Sequence, residues 1–252
     1  MLTSKRWNTA HFYLCSCYAV NSYNRQNMKR KLLMASLVLS LTANALFVCH
    51  YAGKHYLPRK SVYDKSVEKC VESWSNSVLK SNPAAENIFI GSSSTYLAPT
   101  DSIPNSVNLG YWGDKLKGMC HRLKQVTSLN PKRIFIFPST NGYETQSDEE
   151  YLRDFKELVG TARDSFPRTG LYVISTFPMA KSKETKKRTN ARIITMCRKI
   201  KAMSQEMKYV YIDVSTPLLG GRTHLDESET VDGLHLTPQS YEIWLESVKN
   251  VL

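Results

Sequence analysis

No acidic residue occurs in the first 60 of the 252 positions. The same stretch carries nine cations, Lys5, Arg6, Arg25, Lys29, Arg30, Lys31, Lys54, Arg59 and Lys60, so it supplies +9 of a net +12 and leaves only +3 for the rest. The basic character therefore belongs to the N-terminus. It is not the footprint of a nucleic-acid-binding surface, no recognised nucleic-acid motif accompanies it, and nucleic acid is not an expected partner. Cysteine is also sparse. Cys15, Cys17, Cys49, Cys70, Cys120 and Cys197 show no metal-ligand spacing, and only the last three follow residue 50. At most one disulfide can form among those three, and buried free thiols are the expected state. The chain has no Walker-type phosphate loop, no zinc-spaced cluster, no internal repeat and no low-complexity tract, so neither a metal nor a nucleotide cofactor is expected.

The N-terminal charge has a neighbour that explains it. Leu32 to Cys49 is an uncharged, largely apolar run of eighteen residues placed directly after Lys29-Arg30-Lys31. That length suffices to cross a bilayer as a helix. The excess of cations ahead of it predicts a cytoplasmic N-terminus. The expected organisation is a basic tail over 1–31, a transmembrane anchor or signal peptide over 32–50, a juxtamembrane helix or linker over 51–84, and a catalytic domain over 85–252. A second reading starts the protein at Met28 and cleaves a signal peptide near Ala43-Asn44-Ala45. Either way the domain is exported, as a tethered single-pass protein or a secreted one.

Within the domain, apolar strand-like runs fall at 87–90, about 106–109, 133–137, 171–176 and 209–214. Between them lie stripes at helical spacing: Leu116, Met119, Leu123 and Val126; Tyr151, Phe155, Leu158, Val159 and Ala162; Ile193, Cys197 and Ile200; Tyr241, Trp244, Leu245 and Val248. Ser147 with Glu150 three residues later reads as a capping box opening the second helix. A further helix is expected over 62–79. Continuous apolar strands alternating with amphipathic helices predict a parallel sheet of about five strands, covered on both faces in a three-layer α/β/α sandwich and preceded by one N-terminal hydrophobic helix.

Two segments carry chemistry. Asp232-Gly233-Leu234-His235 places a carboxylate three residues before an imidazole on a loop, where it can bind Nδ1 and leave Nε2 to take a proton from a nucleophile. Upstream, Asn87-Ile88-Phe89-Ile90-Gly91-Ser92-Ser93-Ser94 is a buried-strand pattern breaking into a turn that presents a hydroxyl. Any of the three serines is compatible with that pattern alone. His224, near Asp226, is the only rival histidine with an acid close in sequence.

Four segments in this order resemble the SGNH, or GDSL-type, hydrolases. Phe89 to Ser94 is similar to their first block, with Ser93 in the nucleophile's place. Asn108-Leu109-Gly110-Tyr111-Trp112-Gly113-Asp114 is similar to the second, whose glycine before the Asp donates a backbone N–H; here that is Gly113. Ile136-Phe137-Pro138-Ser139-Thr140-Asn141-Gly142 is similar to the third, whose Asn side chain donates to the oxyanion; here that is Asn141. Asp232 to Pro238 is similar to the last. The resemblance spans about 85–252 and implies a flavodoxin-like fold, a Ser93–His235–Asp232 triad and an oxyanion hole of the Ser93 and Gly113 N–H groups with the Asn141 amide. It departs from the usual pattern at Ser92, which stands for an Asp, and at Ser139 and Gly142 in the third block. The implied reaction is hydrolysis of an acyl ester, such as an acetyl ester on an envelope or dietary glycan. Passing the acyl group to a sugar hydroxyl would make an O-acyltransferase, and keeping the fold without the chemistry would make an envelope scaffold. Tyr96, Trp112 and Tyr143 flank these blocks and are candidates to bind an acylated carbohydrate.

Overall fold

The computed structural model describes residues 84–252 continuously, with isolated residues among 28–40 and 73–80. Most of the expected hydrophobic helix over 32–50 and most of the expected helix over 62–79 lie outside the described residues. Among the described residues no helix is long and apolar enough to cross a membrane. Contacts divide the chain into two units, Met1–Val62 and Tyr63–Leu252, and the second holds the sheet.

Five strands, β1 (Asn87–Gly91), β2 (Ser106–Gly110), β3 (Arg133–Ile136), β4 (Gly170–Ile174) and β5 (Val210–Ile212), pair in parallel in the order β2-β1-β3-β4-β5. Their alternation sorts two cores. Ile88, Ile90, Ile134, Ile136, Leu171 and Val173 point to one face, where α2 (Leu116–Gln125), α3 (Asp148–Ser165) and α4 (Asn190–Ala202) pack. Phe89, Phe135, Ile174 and Ile212 point to the other, under α5 (Ser215–Leu219) and α6 (Pro238–Lys249). Phe89 stacks on Phe135 at 4.5 Å and meets Trp244 of α6 at 5.6 Å. Burying each such side chain contributes about 1.5–3 kcal/mol, which is why continuous apolar runs settle in a doubly covered sheet. The Ser147–Glu150 capping box forms as expected. Cys120 and Cys197 are free and buried, and burial pushes the Cys120 thiol up to about 11.

Strand ends differ from the sequence reading where polar side chains intervene. The run 171–176 ends as a strand at Ile174; Ser175 N–H still donates to Ile212 O of β5 at 2.9 Å, but its Oγ then takes over, accepting from Val214 N–H at 2.8 Å and Ser215 N–H at 2.9 Å. The run 209–214 shortens to three residues because Asp213 turns to accept from Thr216 N–H at 3.1 Å.

The strand order places a topological switch between β1 and β3: the chain leaves β1 toward β2, then crosses back to β3. The loops after those strands diverge there and open a crevice at the carboxyl ends, where such sheets bind ligands.

Candidate active site

Gly91 ends β1, and the chain turns at once into a four-residue helix, α1 (Ser93–Tyr96). Two glycines let that turn sit tight on the sheet. A Cβ on Gly91 would lie 1.9 Å from Thr95 Oγ1, and one on Gly110, at the end of β2, would lie 2.1 Å from Tyr96 N. The turn is held from two sides: Asn108 of β2 donates to Thr95 O at 2.7 Å, and Tyr241 of α6 donates its hydroxyl to Ser94 O at 2.7 Å.

Ser93 Oγ lies 2.9 Å from His235 Nε2, and His235 Nδ1 lies 2.9 Å from Asp232 Oδ2. Ser93 and His235 are buried, with 9% and 7% of their surfaces exposed. The Asp232 loop is built around its own carboxylate. Oδ1 accepts the backbone N–H groups of Leu234 at 3.0 Å and His235 at 2.8 Å, and Gly233 supplies the left-handed φ of 85° that the turn requires. Burial opposes the charge on Asp232. The His235 N–H, the His235 ring and the Leu234 N–H outweigh it and hold the carboxyl down at about 2. Asp232 is therefore ionised through the whole physiological range, and an anion at Oδ2 favours the tautomer in which Nδ1 carries the proton and Nε2 accepts.

Asn141 sits in a short turn after β3, on the other side of the switch point. The turn is capped by Ser139, whose Oγ accepts from Asn141 N–H at 3.0 Å, so the Asn141 side chain is not the cap. Its Nδ2 donates one proton to Asp114 O at 2.9 Å, leaving the second N–H for a ligand. Gly113 lies in the loop after β2 with φ 72°. Neither the Ser93 nor the Gly113 backbone N–H has a partner among the described residues. Ser93, Pro138, Asn141, Thr176, Phe177 and Leu234 line a cleft of about 20 Å³. Larger clefts of about 360 and 620 Å³ lie along α4 and contain no member of this cluster. Bond geometry, not volume, marks the site.

The profile of the GDSL-like Lipase/Acylhydrolase family matches residues 92–243, from the residue before Ser93 to the middle of α6. The chain belongs to this family. GDSL-family acylhydrolases cleave ester bonds, and this chain is an ester-bond hydrolase. No curated protein sequence matches it. Among solved structures, a GDSL-like lipase from Bacteroides thetaiotaomicron is 18% identical, covers 71% of this chain and 97% of its own, and superposes with a TM-score of 0.60. A member of the lipolytic G-D-S-L family from Veillonella parvula is 18% identical over 67% of this chain and 98% of its own, TM-score 0.55. A variant of an acetyl-xylooligosaccharide esterase from Geobacillus Stearmophilus is 13% identical over 66% of this chain and 94% of its own, TM-score 0.53. At these identities the likeness is one of fold.

The GDSL-type reading of the sequence brought together Ser93, His235, Asp232 and Asn141. Two of the three aromatics lie beside this cluster. Trp112 lies 5.0 Å from the His235 ring and 6.0 Å from Tyr96, and both Trp112 and Tyr96 are half exposed. Tyr143 does not: it is fully buried, edge-on to Tyr151 at 4.8 Å with the Arg192 guanidinium 4.6 Å from its ring, and is a core residue unable to meet substrate. His224 pairs with Glu184 at 3.1 Å and with no serine. Among the described residues no cluster of three or more His, Cys, Asp or Glu is arranged to hold a metal.

The sequence reading missed a buried ion pair behind the site. Arg122 of α2 pairs with the Asp114 carboxylate, both side chains wholly buried, and donates to Gly91 O at 2.8 Å. Asp114 is also the residue whose carbonyl orients Asn141. One guanidinium thus ties the end of β1 to the loop that aims the Asn141 amide.

Proposed function

We propose that this protein is a serine esterase that removes short acyl groups, acetyl above all, from a carbohydrate outside the cytoplasm. The observation carrying the catalytic part is the relay from Asp232 through His235 to Ser93, with two 2.9 Å bonds. Ser93 Oγ attacks the ester carbonyl while His235 Nε2 takes its proton. Charge on the carbonyl oxygen is met by the Ser93 and Gly113 N–H groups and the Asn141 amide, each such donor typically worth about 3 kcal/mol in the transition state. His235 returns the proton to the leaving alcohol, and water, deprotonated by His235, releases the acid. The cleft of about 20 Å³ favours a short acyl chain, since one water already needs about 10–15 Å³. The exposed Trp112–Tyr96 pair supports a sugar ring as the alcohol. The basic tail and apolar run of 29–49 support a membrane tether with the domain on the far side.

The test is labelling of the purified full chain with a fluorophosphonate, alongside hydrolysis of an aryl acetate. Ser93→Ala should lose labelling and lower kcat by on the order of 10⁶, whereas Ser92→Ala and Ser94→Ala retain labelling. Wild-type labelling of Ser93→Ala would remove Ser93 from the chemistry. For topology, a tag after Leu252 should be reached by protease only from the non-cytoplasmic side.

A further inference from the structure

Residues 61–252 carry a net charge of +3, yet the eight residues Lys181-Ser182-Lys183-Glu184-Thr185-Lys186-Lys187-Arg188 carry five cations against one acid, a net +4, so the rest of 61–252 nets −1. The surplus positive charge of the domain is gathered in one loop. That loop follows β4 and is pinned to both walls of the site. At its start Ala180 N–H donates to Gly233 O at 2.8 Å, in the Asp232–His235 loop. Lys183 lies across Gly233, where an added Cβ would stand 2.6 Å from Lys183 Cγ. At its far end Thr185 donates to the Glu144 carboxylate at 2.7 Å and Lys187 Nζ to Glu144 O at 3.1 Å, three residues beyond Asn141. Lys181 is neutralised by Glu184. Lys183 N–H donates to Ala180 O at 3.1 Å, but the side chains of Lys183 and Lys186 are exposed and their ammonium groups make no hydrogen bond or ion pair among the described residues. The strand order sets this loop apart from the aromatic pair: Trp112 follows β2 and the basic loop follows β4, on either side of the β1–β3 switch that holds Ser93 and Asn141.

We infer that the basic loop is a subsite for an anionic group, and that the natural substrate is a short acyl ester on an acidic glycan. The inference rests on the esterase reading and deepens it. A glycan crossing the cleft sets one sugar against Trp112, the ester at Ser93, and a carboxylate or phosphate of the same or the next residue against Lys183 and Lys186. Uncompensated cations at the lip of a cleft draw such an anion in at low ionic strength and lose that advantage as salt screens them. A membrane of anionic lipid offers the same charge, but the small cleft of about 20 Å³ at Ser93 favours a short acyl ester over a long-chain one.

The experiment compares kcat/KM of the purified full chain on acetylated oligogalacturonate, acetylated xylooligosaccharide, dioctanoyl phosphatidylglycerol and a neutral aryl acetate. The charged-to-neutral glycan ratio should exceed about tenfold in low salt, the size of one good charge contact, and collapse toward unity in 0.5 M sodium chloride. Lys183→Glu should lower the ratio at least tenfold, with Lys186→Glu adding to it; the salt titration of the unaltered chain gives the same answer without any variant. A ratio near unity in low salt, with brisk aryl acetate hydrolysis, would overturn the subsite while leaving the esterase intact. Preference for the phosphatidylglycerol would overturn the glycan. Absence of any aryl acetate hydrolysis and of phosphonate labelling would sink the esterase reading and the subsite with it.

Discussion

The groups proposed to carry the reaction and those proposed to meet the substrate are held in opposite ways. Ser93, His235 and Asn141 are each fixed by hydrogen bonds of 2.9 Å, to partners that are themselves bonded. Trp112, Tyr96 and Lys183 stand at the surface, the two rings half exposed and set against one another, with Trp112 also facing the His235 ring. Bond making needs positions good to a fraction of an ångström, which only a closed network of backbone and buried polar groups provides. Recognition of a sugar face or a charge tolerates looser placement, and exposed side chains pay little for being reshaped by selection.

That contrast can be broken at its buried end first. Arg122→Met takes the countercharge from the buried Asp114 carboxylate, which keeps the Lys115 N–H at 2.8 Å, and should cost about 3–5 kcal/mol of stability in urea denaturation. A loss under about 1 kcal/mol would mean that the pair is hydrated in solution and that the network behind Asn141 is not closed. Next in size is Asn141→Ala. If its amide binds the oxyanion, kcat should fall by about 10²–10³ with KM and melting temperature nearly unchanged, and Asn141→Asp should do at least as much harm by facing a developing anion with another. Near-normal kcat for the Asp variant would remove Asn141 from the reaction. The smallest effect is expected at the rim. Trp112→Ala should raise KM for an acetylated oligosaccharide several-fold, the order of one stacking contact, and leave kcat on an aryl acetate within about threefold. An equal fall in kcat on both substrates would move Trp112 from recognition to support of the His235 ring.

How much of this was readable in advance follows the same division. Buried parallel strands announce themselves as apolar runs, and all five stand within a few residues of their expected places. The Asp232–His235 spacing is local, so its geometry was legible too. Tyr143 was misjudged because neighbouring a motif in sequence says nothing about which side of the chain faces the cleft; two residues past Asn141, its ring turns inward onto Tyr151. Arg122 was missed because a charged residue on an amphipathic helix is ordinarily solvated. Only the fold reveals that it points at Gly91 and Asp114. The +4 loop was hidden inside a nearly balanced domain total, and became visible once Gly233 and Glu144 fixed where it runs.

The bond between Ser93 and His235 joins positions 142 residues apart, and the one between Tyr241 and Ser94 spans 147. The first strand of the sheet and the last helix of the chain therefore meet at the hydroxyl. A ribosome makes them in sequence, at about 5–20 residues per second, so the serine exists for many seconds before any imidazole can reach it. Nor can a nascent chain hold the α1 turn from the α6 side until residue 241 has emerged. Esterase activity is thus withheld from a nascent chain that has not yet reached residue 241, and the appearance of turnover in a translation reaction times the closure of the site.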